Sequence, residues 1–80
     1  MSMERLSAIF RDTFDDQSLV LRPDLEPKEV KGWDSFNHIN LILAIEGAFG
    51  FSFTTAEIKS VKTVGQLVEL LRSKGLNVTW

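Results

Sequence analysis

The chain contains no cysteine, only two prolines, and no lysine or arginine anywhere between Gly32 and Ile58. Without cysteine there is no disulfide framework, no thiolate nucleophile and no cysteine metal cluster. No apolar run approaches the ~20 residues that a membrane-spanning helix needs. The opening Met1-Ser2-Met3-Glu4-Arg5 lacks the charge order and apolar stretch of a signal peptide. A cytoplasmic protein is therefore expected. A net charge of −2 leaves no basic footprint for nucleic acid. With 80 residues the expectation is a single domain over residues 1–80. Such a chain buries roughly 60–65% of its unfolded surface, too little to enclose a deep, water-excluding enzyme cleft.

What is present reads as helix. Met3, Leu6, Ile9, Phe10 and Phe14 recur at three- and four-residue spacing and predict a first helix over residues 3–14, closed by Asp15-Asp16. Residues 17–33 carry both prolines and form a long connection. Leu19, Leu21, Leu25, Val30 and Trp33 are spaced to pin it over a helical core, with one helical turn allowed near residues 24–29. Ser18-Leu19-Val20-Leu21 has no second alternating run to pair with, so it is read as extended loop. A second helix is predicted over residues 35–49, capped by Asp34 and ended by Gly50. Thr54-Thr55-Ala56-Glu57 has the capping-box pattern and opens a short helix near 55–60. Thr63-Val64-Gly65-Gln66 repeats the pattern ahead of a last helix near 63–73, with Val64, Leu67, Val68, Leu70 and Leu71 as its apolar stripe. The fold class is thus all-α: three main helices, one short helix, and a long loop between the first two.

On a helical wheel, Leu41, Ile42, Ile45 and Phe49 share one arc of the second helix, the arc assigned to the core. Phe36, Ile39, Asn40, Leu43, Glu46 and Gly47 form a second stripe. Periodicity alone leaves two readings open: a half-exposed partner surface, or a core helix touched on two sides by the long loop.

Asp34-Ser35-Phe36 places a hydroxyl at the start of that helix. A helix start offers unpaired N–H groups and the positive end of the dipole, which suits a phosphate ester. Ser35 also has a purely structural reading beside an N-cap. A triad of Asp34, Ser35 and His38 is disfavoured, because no Gly-x-Ser-x-Gly elbow surrounds the serine and His38 projects toward the core side. Trp33 is read as packing. The acids Asp12, Asp15, Asp16, Asp24, Glu26 and Glu29 lack calcium-loop spacing and read as a solvated face.

With Asp34-Ser35-Phe36, then Leu41, Ile45, Glu46 and Phe49, then Thr63-Val64, the whole chain resembles an acyl carrier protein. The resemblance implies a non-catalytic carrier, a monomer, with 4′-phosphopantetheine from coenzyme A on Ser35 and Asp34 as cap and transferase-recognition residue. It implies cargo held as a thioester, as in fatty-acid or polyketide biosynthesis, although peptidyl and D-alanyl carriers share the fold and the serine. The implied partners are a phosphopantetheinyl transferase, an acyl-loading ligase or transferase, and an acyl-using synthase or transferase. They would dock on Phe36, Ile39, Asn40, Leu43, Glu46 and Gly47. Two departures suggest a specialised member: Phe36 replaces the usual Leu, and Glu46 is the helix's only acid. A cavity among Leu41, Ile42, Ile45, Phe49 and the last helix is expected to shelter an acyl chain. The competing reading is a helical interaction adaptor with no prosthetic group.

Overall fold

The computed structural model describes residues 3–80, and the described chain contains helices and no strand. Helix α1 spans Met3–Phe14, α2 Ser35–Phe49, α3 Thr55–Ser60 and α4 Val64–Ser73, with one 3-10 turn at Pro27–Glu29. None of these helices is long and apolar enough to cross a membrane. Their apolar stripes meet in one continuous core, in which Leu6, Phe10, Leu41, Ile45, Leu67 and Leu71 are fully buried. Burial of each such side chain contributes about 1.5–3 kcal/mol.

Helix ends follow local chemistry. The Asp34 side chain accepts the Asn37 N–H at 2.8 Å and caps α2. Gly50, with φ of 74°, ends it in the left-handed conformation that glycine adopts without steric cost. Thr54 and Glu57 form the complete reciprocal box at α3, Thr54 Oγ1 accepting the Glu57 N–H and a Glu57 carboxylate oxygen accepting the Thr54 N–H. At α4 the expected box is only half formed. Thr63 accepts from the Gln66 N–H, but Gln66 reaches one residue further back and accepts from the Lys62 N–H. Asp15 closes α1 with a positive φ of 50°, a conformation that Asp tolerates better than most residues, and the Asp16 N–H bonds back to the Arg11 carbonyl.

Residues 15–34 run as loop apart from the 3-10 turn, and the expected anchors hold them. Leu21, Leu25, Val30 and Trp33 are buried, and Leu19 packs partly buried against the core. The backbone of this loop docks on α4: the Val64 and Gly65 N–H groups donate to the carbonyls of Leu25 and Pro23 at 3.0 and 2.9 Å. Residues 76–80 fold back, with Val78 fully buried and its carbonyl accepting from Arg72 Nε. Phe49 departs from the core arc assigned to it. It is partly buried at the end of α2, beneath the Arg5 guanidinium.

The loop–α4 contact leaves no room for a side chain. A Cβ on Gly65 would lie 2.6 Å from the Pro23 carbonyl oxygen, a backbone atom that cannot swing away. Gly65→Ala recovers about 1 kcal/mol of helix propensity, whereas overpacking costs about 1–3 kcal/mol and the Gly65–Pro23 hydrogen bond is also strained. The expected outcome is a net loss of stability, read as a lower Tm in thermal denaturation. A higher Tm would show that the loop yields.

Candidate functional site

Ser35 is the first residue of α2 and its side chain is exposed. Among the described residues, neither its backbone N–H nor that of Phe36 has a hydrogen-bond partner, since the Asp34 carboxylate serves Asn37. Two free donors at the positive end of a 15-residue helix, beside an exposed hydroxyl, form a fitting seat for a phosphate ester on that serine. The Asn37 side chain donates to the Gly32 carbonyl at 2.7 Å and fastens the preceding turn.

The hydroxyl opens on a groove of about 680 Å³ between the start of α2 and α3. Trp33, Ile39, Ile58 and Val61 supply its apolar walls, and Glu26, Asp34, Lys59 and Lys62 its charged rim. This differs from the cavity expected among Leu41, Ile42, Ile45 and Phe49. The first three of those are 0–1% exposed and lie in the core, whereas α2 contributes Ser35, His38 and Ile39 to the groove beside the serine.

Trp33 is buried against Phe10 and Phe14, with ring centroids 5.6 and 5.3 Å away. Its indole N–H donates to His38 Nδ1 at 3.0 Å, and His38 Nε2 lies 3.1 Å from the Ile58 carbonyl oxygen. Both imidazole nitrogens are therefore engaged away from Ser35. A general base must reach the proton that it removes, and here no ring nitrogen faces the hydroxyl. Sequence reasoning placed His38 toward the core side; the structure adds that it bonds two other segments.

On the outer side of α2, Phe36, Leu43 and Ile39 are 75%, 58% and 47% exposed. Asn40 is exposed beside them, and the space around Gly47 is open. Of the two readings of this stripe, the exposed one describes the structure. Glu46 has an internal duty that the sequence did not reveal: a carboxylate oxygen accepts the Phe53 N–H at 2.7 Å, holding the segment that leads into α3. Arg5 was also missed. Its guanidinium donates to the Ala48 carbonyl at 2.8 Å and so supplies the cation that the last turn of α2 lacks. A helix end with no nearby cation was the available signal.

No family model matches the chain. It is similar to the acyl carrier protein of Coprothermobacter proteolyticus, at 28% identity over 72 residues, covering 88% of this chain and 85% of that protein. It is also similar to the holo acyl carrier protein from Geobacter metallireducens, whose solution NMR structure matches with a TM-score of 0.83 and 36% identity. That match covers 90% of this chain and 83% of that one. Fold and likeness together define a helical carrier and not an enzyme. The chain belongs to the acyl carrier protein family.

Away from the groove, one carboxylate ties α3 to its neighbours. The Thr54 N–H, and then the Lys74 ammonium at 3.0 Å, hold the Glu57 carboxyl below the ordinary glutamate range. Lys74 itself lies 5.8 and 5.7 Å from the Phe51 and Phe53 ring centres. A depressed carboxyl contributes stability that is present above its unfolded-state value and is lost as pH falls through the folded-state value. Wild type should therefore exceed Glu57→Gln in stability at neutral pH, and the gap should narrow as pH drops below the ordinary glutamate range. Denaturant unfolding of both proteins across that range checks it. A gap that widens in acid would contradict the assignment.

Proposed function

We propose that Ser35 is the attachment point for 4′-phosphopantetheine, and that the chain carries an acyl or aminoacyl group as its thioester and presents it to partner enzymes. The observation that carries this reading is the exposed Ser35 hydroxyl beside two unpartnered N–H groups at the start of α2. The likeness to a holo acyl carrier protein supports it. When bound, the group supplies the thiol that a cysteine-free chain lacks. The residues' own tasks are modest. Asp34 caps α2 and keeps its first turn in place, the Ser35 and Phe36 N–H groups would be free to donate to the phosphodiester, and the groove wall of Trp33, Ile39 and Ile58 would give apolar shelter next to it.

The hydroxyl proton has to leave with an external base, because both His38 nitrogens are occupied. This assigns activation to a phosphopantetheinyl transferase. The carrier domain in this reading is residues 1–80, acting as a cytoplasmic monomer that meets loading and acyl-using enzymes in turn. Such visits call for small surfaces and quickly reversed binding.

We assign docking to Phe36, Ile39, Asn40, Leu43, Glu46 and Gly47, against partners that present a complementary apolar patch. Charge supports that choice. The segment from Gly32 to Ile58 has no cation, α2 has one acid, and that acid already bonds the Phe53 N–H. A strongly basic partner patch would find little to pair with here.

Two experiments follow. Co-expressed with a phosphopantetheinyl transferase, wild type should gain the mass of one phosphopantetheine, and Ser35→Ala should gain none while keeping its helical circular dichroism. An unchanged wild-type mass across several transferases would favour the adaptor, and a labelled Ser35→Ala would move the attachment elsewhere.

For docking, Leu43→Ala and Phe36→Ala should each slow transfer to a cognate enzyme more than Glu46→Gln does. Salt should matter little, since screening acts on exposed charges and not on apolar contact. Because both side chains are more than half exposed, stability should change by about 0.5 kcal/mol or less, far from the ~2–5 kcal/mol of a buried Leu→Ala change. A steep salt dependence with a dominant Glu46 effect would show electrostatic docking instead.

A further inference from the structure

Four rings form a chain from α1 to the serine groove: Phe14, Phe10, Trp33 and His38. The last link is polar and has a direction. An indole N–H can only donate, so its partner at 3.0 Å, His38 Nδ1, must present a lone pair. A neutral imidazole with a bare Nδ1 carries its proton on Nε2. That nitrogen lies 3.1 Å from the Ile58 carbonyl oxygen, which can only accept. The Nε2–H tautomer is the one form of the ring that satisfies both contacts. The two ring planes differ by only 20° with centroids 6.1 Å apart.

The three segments joined this way are those that wall the groove beside Ser35: the end of the long loop through Trp33, α2 through His38, and α3 through Ile58. Helix α3 needs such fastening. It has six residues and no fully buried one, and a helix this short has little stability of its own. Among the described residues, the His38–Ile58 contact is the side-chain hydrogen bond that joins α2 to α3. The other ties on α3, Glu57 to Thr54 and to Lys74, hold its far side from the serine groove.

We propose that His38, as its Nε2–H tautomer, is a positioning residue for the modification of Ser35, fixing α3 and Trp33 as the walls that a transferase must recognise around the serine. The proposal rests on Ser35 being the attachment point. If the walls drift when the bond to either partner is lost, only a fraction of carriers is competent to bind, and the apparent affinity falls by that fraction. Turnover of the bound carrier is unaffected, because His38 does not touch the hydroxyl. The signature is a rise in KM with kcat retained.

The test uses the full chain and has two arms. In long-range 15N–1H spectra at about pH 8, above the ordinary histidine range, the His38 ring should show a protonated Nε2 and a bare Nδ1. The Trp33 indole proton should exchange with solvent much more slowly than that of Trp80, which is 47% exposed. His38→Asn keeps an acceptor near the Nδ1 position and should preserve slow Trp33 exchange. His38→Gln keeps a donor near the Nε2 position and should lose it.

In the second arm, transfer from coenzyme A by a phosphopantetheinyl transferase should show KM for the carrier raised roughly fivefold in both variants, the weight of one hydrogen bond. The value of kcat should stay within about twofold, as expected for a change in competent population alone. A protonated Nδ1 would overturn the proposal, as would fast Trp33 exchange in wild type or variants with wild-type KM. A lost kcat would overturn positioning in favour of direct participation. If wild type itself is never modified, the attachment reading fails first and this proposal with it, whereas unchanged variant kinetics on a modified wild type refute this proposal alone.

Discussion

The Val64 and Gly65 N–H groups bonded to the Leu25 and Pro23 carbonyls answer two needs at once. A helix start has donors that its own backbone cannot satisfy, and an irregular loop has carbonyls with no ladder to join. Here each supplies the other, and the contact is close because residue 65 has no Cβ to meet the Pro23 oxygen. From this point the loop's apolar anchors reach the core in sequence, ending at Trp33. Trp33 delivers the chain to Asp34, and Asp34 starts α2 with Ser35 as its first residue. The place of the serine is thus set by a loop held at its middle by α4 and at its end by an aromatic cluster on α1.

Much of this was legible in the sequence because it is local. The 3.6-residue spacing of apolar residues marked α1, α2 and α4, and the caps at Asp34 and Thr54 and the stop at Gly50 act through backbone groups within four residues. The loop anchors were legible as apolar residues that an exposed loop has no use for. Contacts between elements were not. Glu46 to Phe53, Arg5 to Ala48, Lys74 to Glu57, and the Trp33–His38–Ile58 chain depend on how helices cross, which no periodicity encodes. Gln66 shows the limit even at short range. The box pattern fits Thr63, yet the side chain bonds Lys62, because a free N–H one residue earlier was within its reach.

The groove teaches the same lesson about α2. The wheel assigned Leu41, Ile42 and Ile45 to one arc correctly, but it did not mark the space beside Ser35, which opens where packing is interrupted. The interruption falls between α2 and the short α3, where polar ties stand in for buried apolar side chains.

Helix α2 thereby works on two sides. The inward one puts Leu41, Ile42 and Ile45 in the core and, one turn earlier on the same arc, His38 in the groove; the outward one carries Phe36 and Leu43. Ile39 belongs to both, lining the groove and remaining 47% exposed on the outer stripe. The exposed stripe therefore includes a residue that also walls the space beside Ser35. His38 is adjacent in sequence and is fastened to Trp33 and to α3. In a helix with almost no charge, the outer stripe and the groove beside Ser35 meet at this apolar residue.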